Sequence, residues 1–99
     1  MAVANVSPQM LLPSVTLDAV KKLGTAMASR EQFLRQSIAG FEPKYACSLT
    51  ELNRRLESRQ IAEHPAWEDA IEWGNAIDQL AQVQLNQSIV TWLIHFLTR

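Results

Sequence analysis

Three neighbouring carboxylates come nearest to a catalytic arrangement in this chain. Glu68, Asp69 and Glu72 lie close together in the sequence, and paired carboxylates can act as a general acid and a general base. Acidic residues in the first turn of a helix are, however, usually solvated partners of the helix dipole. The pattern therefore favours a solvated acidic helix start over a catalytic pair, and we expect no enzyme activity.

The other reactive side chains lack partners at the spacing that catalysis or metal binding requires. Ser29, Ser37 and Cys47 have no base in a recognisable motif, and His64 and His95 are isolated. A single cysteine cannot form an internal disulfide, which is typical of a reducing compartment. The three glycines stand apart from one another, so no phosphate-binding loop is indicated. We expect neither a cofactor nor a metal site.

The charges divide the chain into a mildly basic first region and an acidic second region. Residues 1–45 carry five Lys or Arg and three Asp or Glu, whereas residues 46–99 carry four and seven. We take these two ranges as the two functional regions. The segment from Met1 to Pro8 lacks the basic and apolar parts of a targeting signal, so we expect a cytoplasmic protein.

The first region predicts an extended segment followed by two helices. Residues 1–13 contain two prolines and no helical period, which favours a short strand or arm. A helix is predicted from Ser14 to Met27, and Ser29 is predicted to cap a second helix that ends near Pro43. The expected buried positions follow a three- and four-residue spacing: Leu17, Val20, Leu23, Met27, Phe33, Leu34, Ile38 and Phe41.

The second region predicts two further helices and an apolar tail. A capping box of Ser48 and Glu51 opens a short helix, and Pro65 suits the first turn of a longer one. A break is expected at residues 86–88, followed by the tail at 88–97, which is shorter than the ~20 residues that span a bilayer. The fold class is thus mainly α, with a short N-terminal strand or arm and four to five helices, and no membrane association is expected.

The first 41 residues resemble the ribbon-helix-helix family, because Leu12 and Pro13 close the extended segment and Ser29 with Arg30 opens the second helix. In that family, two chains pair their strands into a ribbon that enters the major groove of DNA. The resemblance implies a homodimer that binds operator DNA. It places Ser7, Gln9 and Leu11 toward the bases, and Ser29 and Arg30 at the phosphates.

The downstream segment that runs from residues 41–45 through residues 63–73 is similar to small prokaryotic antitoxin components of type II toxin–antitoxin pairs. An acidic helix that carries tryptophans suits a basic protein surface, with aromatic anchors and carboxylates that steer association. The resemblance implies a cognate protein toxin as partner and repression of the chain's own operon. The expected partner-binding residues are Trp67, Ile71, Trp73, Trp92 and Leu93.

Alternative interpretations remain open at this point. Residues 14–41 could be an ordinary helical hairpin, and Trp67 and Trp73 could be core residues. The chain as a whole could be a small all-helical interaction protein without a nucleic-acid role, which uses its tail from Ile89 to Leu97 to associate with itself or to dock.

Overall fold

The computed structural model describes residues 16–98, which form three helices and, within that range, no strand. We name them α1 (Leu17–Tyr45), α2 (Leu49–Glu57) and α3 (Glu63–Leu97). The described residues are mainly helical, as predicted, but between positions 16 and 98 three helices replace the expected four to five. The strand or arm predicted for residues 1–13 lies outside the described residues.

Helix α1 is continuous through the position where two helices were expected. Thr16 caps it, with its Oγ1 accepting a hydrogen bond from the amide of Ala19 at 3.1 Å. Residues 28 and 29 are helical, so the predicted start at Ser29 is wrong. Serine disfavours a helix interior only weakly, by about 0.5 kcal/mol relative to alanine, and packing along the whole of α1 outweighs that preference.

The end or kink predicted at Pro43 lies close to the observed end, since Pro43 is inside the last turn of α1 and the helix ends at Tyr45. A proline there loses one backbone hydrogen bond, but Phe41 and Tyr45 on either side of it pack against the core. The helix ends when Ala46 adopts the left-handed conformation and its amide donates to the carbonyl of Glu42 at 2.7 Å.

Helix α2 begins as predicted, with Ser48 Oγ accepting from the amide of Glu51 at 3.2 Å. In α3, His64 has non-helical backbone angles, so the regular helix starts at Pro65. The break expected at residues 86–88 is absent. Gln87 instead donates a hydrogen bond to Glu31 of α1 at 3.0 Å, which holds this part of α3 against its neighbour.

Helices α1 and α3 run antiparallel along one seam. Phe41 stacks on Trp73 with 5.5 Å between the ring centroids, and farther along the pair a β-carbon on Gly24 would lie 3.3 Å from Cγ1 of Val90. The α1 positions that face α3 recur every three or four residues, as in a coiled coil. They are Val20, Gly24, Met27, Glu31, Leu34, Ile38, Phe41 and Tyr45.

Two residues expected in the core are exposed instead. Leu23 is 48% exposed and Phe33 is 58% exposed. In one continuous helix, neither residue belongs to the row of α1 positions that face α3. The main core lies at the closed end of the hairpin, where α2 covers α3 through Leu52, Ala66, Ala70 and Trp73. At the opposite end, the described residues form a layer of two helices, and the structure measures 62 × 30 × 17 Å.

Candidate protein-binding surface

The carboxylates considered for catalysis do not converge on a common point. Glu68 pairs with the imidazole of His64 on the surface, Glu72 is exposed, and Asp69 turns toward α1. Ser37 donates its hydroxyl to the carbonyl of Phe33 at 3.1 Å, one turn earlier in the same helix. Among residues 16–98, no group of three or more His, Cys, Asp or Glu side chains could hold a metal ion.

Asp69 clamps α3 to the last turn of α1. Its carboxylate accepts a hydrogen bond from Lys44 Nζ at 2.6 Å and another from the Tyr45 hydroxyl. The hydrogen bond from Lys44, and to a smaller extent the one from Tyr45, lowers the pKa of Asp69. Burial, followed by the bond to Asp69, raises the pKa of Tyr45 to about 12. This cluster therefore has a structural role in joining the two long helices.

The residues expected to contact DNA phosphates do not lie at a helix start. Ser29 and Arg30 are in the interior of α1, where backbone amides are used by the helix itself. Arg30 donates to the side chain of Gln79 in α3 and lies over the ring of Phe33 at 5.5 Å. The expected amide site for phosphate is thus absent at Ser29, while Ser7, Gln9 and Leu11 lie outside the described residues.

The expected partner-binding residues separate into exposed and buried groups. Trp67, Ile71 and Trp92 are 50%, 47% and 62% exposed, so each presents a large apolar surface to solvent. Leu93 is half-buried. Trp73 is only 2% exposed, because it forms the centre of the core beneath α2 and Phe41. A role for Trp73 as a contact residue is therefore wrong, and its alternative interpretation as core is confirmed.

Trp67 and Ile71 lie one turn apart within an acidic surface. We call this surface the acidic end, formed by Glu63, Trp67, Glu68, Ile71 and Glu72, all of them exposed. Trp67 also borders a surface groove of about 580 Å³, whose other lining residues are Leu56, Glu57, Arg59, Ile61 and Glu63. A partly exposed tryptophan next to a groove, surrounded by carboxylates, is suited to hold a protein with a basic, apolar-centred surface.

Comparison with known proteins finds no matching family model, no similar curated protein and no similar solved structure.

A second apolar surface lies on the tail for which the sequence suggested self-association or docking, and its continuation to Leu85 was not expected. Leu85, Ile89, Trp92 and Phe96 are each at least half exposed and follow one another at spacings of four, three and four residues. We call this set the outer stripe; it lies about half a turn from the seam residues of α3 and so faces away from α1. The expected break at residues 86–88 concealed its continuity, although the spacing itself was a usable signal.

The two surfaces of α3 differ sharply in charge. Five acidic residues and no Lys or Arg lie between positions 63 and 78, whereas no Asp, Glu, Lys or Arg lies between positions 79 and 98. No helix in residues 16–98 combines the length and the apolar character needed to cross a membrane.

Proposed function

We propose that this chain is a protein-binding module whose acidic end covers a basic surface of a partner protein. The observation that carries the proposal is the exposure of Trp67 and Ile71 among carboxylates. Apolar anchors at the centre of an interface supply most of its affinity, and surrounding charges raise the association rate and select the partner. A partner with basic residues around an apolar depression fits both parts of this surface.

The specific form of this function that we propose is the antitoxin of a type II toxin–antitoxin pair, which neutralises its toxin by direct binding. Residues 41–45 and 63–73, the two ends of the segment that resembles antitoxins, meet in the folded chain where Lys44 and Tyr45 contact Asp69. They form the end of the molecule that presents Trp67. The cytoplasm is the compartment in which such a protein would meet its toxin.

Binding of the chain to operator DNA is a separate part of the proposal. A continuous α1 does not have the two-helix arrangement of the ribbon-helix-helix family, so this contact would depend on residues 1–15. If the chain binds its operator, the purified chain should retard a DNA fragment of its own promoter in a gel. Added salt should weaken this retardation. An unretarded fragment leaves the protein-binding function intact and removes the repressor function.

The test of protein binding is co-expression of the tagged full chain with the product of the adjacent gene, followed by titration of the purified partners. We expect Ile71→Asp and Trp67→Ala each to weaken the complex by about thirtyfold or more, since central anchors contribute about 2 kcal/mol or more. Phe33→Ala is the matched control, because Phe33 is a similarly exposed large apolar residue, at 58%, that lies on α1 outside the acidic end. Equal affinity of all these variants for the partner would refute this assignment.

A further inference from the structure

The outer stripe is an apolar surface on the half of the molecule that has the least core. Trp92 and Phe96 are stacked with 5.6 Å between ring centroids, so the two aromatic rings already form one surface. Within residues 16–98, α2 lies at the closed end and does not cover this part of α1 and α3. The radius of gyration of 20.2 Å exceeds the ~13 Å of a compact chain of this length. Such a two-helix segment gains stability by packing against further helices.

We propose that two copies of this chain associate through the outer stripe, with their α3 helices antiparallel, to form a two-fold symmetric four-helix assembly. The proposal concerns a surface separate from the acidic end and does not depend on the function proposed above. Three properties of the outer stripe support it: the absence of charge, the sizes of the side chains and the area that these side chains expose.

The absence of charge around the outer stripe favours a second copy over a charged partner. No Asp, Glu, Lys or Arg lies between Asp78 and Arg99, so this surface offers nothing that an acidic or a basic protein would select. A neutral surface can meet its own copy without repulsion between like charges. The four-, three- and four-residue spacing is that of a helix seam, and a seam on one copy can pack against the same seam on another.

The sizes of the side chains favour the antiparallel direction. With a two-fold axis between Val90 and Thr91, Leu85 faces Phe96 of the second copy and Ile89 faces Trp92. Each large aromatic residue then meets a smaller aliphatic one, which is the pairing that fills space best. A parallel pair would place Trp92 against Trp92 and Phe96 against Phe96.

The acidic residues favour the same direction. In a parallel pair, Asp78 and the acidic ends of both copies would lie side by side and repel one another. In the antiparallel pair, the two Trp67 side chains lie about 70 Å apart at opposite ends of the assembly, from a rise of 1.5 Å per residue. The assembly would thus present two separated binding surfaces.

The area available suffices for a dimer of moderate affinity. The four side chains of the stripe expose on the order of 500 Å² per copy, given the large areas of aromatic residues. Two copies would bury about 1,000 Å² from these residues alone, and flanking residues bring the total near the lower limit of ~1,200 Å² for specific interfaces.

The first measurement is sedimentation equilibrium of the full chain over a wide range of protein concentrations. We expect a dimer of twice the 11.2 kDa chain mass, and we expect Ile89→Glu to raise the dimer dissociation constant by about a hundredfold or more, because a carboxylate would be buried. Phe33→Glu is the control: Phe33 is 58% exposed on α1, outside the stripe, and its replacement should leave the dimer intact. A wild-type chain that stays monomeric, or equal loss of the dimer in both variants, would overturn the proposal.

A charge-swap experiment tests the antiparallel direction. It compares two mixtures that share one variant, so its result does not depend on the folding of any one variant alone. Leu85→Glu and Phe96→Lys should each be monomeric, and their mixture should form a heterodimer, because residue 85 of one chain faces residue 96 of the other. Mixing Leu85→Glu with Phe96→Glu is the matched control and should give no heterodimer. Equal recovery in both mixtures, or no recovery in the first, would refute the antiparallel pairing.

The same stripe could instead lie on a lipid surface, and vesicles of neutral phosphatidylcholine distinguish the two occupants. Under the proposal, the wild-type dimer does not co-sediment with these vesicles. A monomeric chain that co-sediments, and loses this property in Ile89→Glu, would overturn the proposal and assign the stripe to a membrane surface.

Discussion

At the scale of single residues, Asp69 is a side chain whose charge joins two helices. It receives hydrogen bonds from Lys44 and Tyr45 and so joins the ends of α1 and α3. The carboxylates beside it, Glu68 and Glu72, are exposed. Adjacent acids of one helix thus have different roles, because a step of one residue turns a side chain by about 100° around the helix.

We expect Asp69→Asn to lower the free energy of unfolding by about 1 to 2 kcal/mol at neutral pH, since the partner bonds involve a charged group. The pKa of Asp69 is lowered in the folded state, so its contribution exists above the unfolded pKa of ~3.9 and is lost as the pH falls through the lower folded value. Urea unfolding at neutral and acidic pH measures this. Asp78→Asn is the matched control, and an equal effect of both substitutions would contradict the clamp.

Tyr45 gives a direct spectroscopic measure of the same cluster, because it is the only tyrosine of the chain. Its pKa is raised to about 12, so its contribution to stability is complete below the unfolded pKa of ~10 and is lost as the pH rises through the folded value. Titration of tyrosinate absorbance should show a lower pKa for Tyr45 in Asp69→Asn than in the wild type. Burial is the larger cause of the shift, so we expect only part of it to disappear.

At the scale of the helices, the continuity of α1 shows that a serine in the same sequence context can either cap a helix or lie inside one. Ser29 and Ser48 both have the sequence context of a helix cap, but only Ser48 uses its hydroxyl in that way. Ser48 comes two residues after the left-handed Ala46, where the chain has already turned, whereas Ser29 lies between Met27 and Glu31, two seam residues of one continuous helix. Local sequence alone does not distinguish these contexts.

Replacement of each serine by alanine tests this difference. We expect Ser48→Ala to lower the free energy of unfolding by about 1 kcal/mol, because the amide of Glu51 loses its partner. Ser29→Ala should be neutral or stabilising by up to about 0.5 kcal/mol, because alanine is the better residue inside a helix. Urea unfolding of the two variants provides the comparison. A destabilisation of Ser29→Ala as large as that of Ser48→Ala would place a helix start at Ser29.

At the scale of the whole molecule, one tryptophan connects all three helices. Trp73 of α3 stacks on Phe41 of α1 and packs in the cluster that contains Leu52 of α2. We expect Trp73→Ala to cost about 3 to 5 kcal/mol, a large part of the 5 to 15 kcal/mol typical of a domain. Trp67→Ala, at a half-exposed site, should cost about 1 kcal/mol.

Urea unfolding followed by circular dichroism, at one protein concentration for all variants, measures both changes. Similar losses of stability for the two variants would mean that the core is not centred on Trp73. Loss of α2 alone in Trp73→Ala would mean that the long helices hold together without it.

The sequence by itself determined the helical class, the cap at Ser48, the helix start at Pro65 and the acidic character of α3. These features depend on local spacing, local charge and single residues, which a sequence displays directly. The same information identified Trp67, Ile71 and Trp92 as candidate anchors.

Only the tertiary structure decided how the helices continue and which tryptophan is buried. Ser29 and residues 86–88 favour breaks locally, but the seam between α1 and α3 stabilises unbroken helices by more than those preferences cost. Trp67 and Trp73 have similar neighbours in sequence, and only the position of α2 and Phe41 buries the second and leaves the first exposed. Contacts between residues distant in sequence therefore settled both the number of helices and the residues available to a partner.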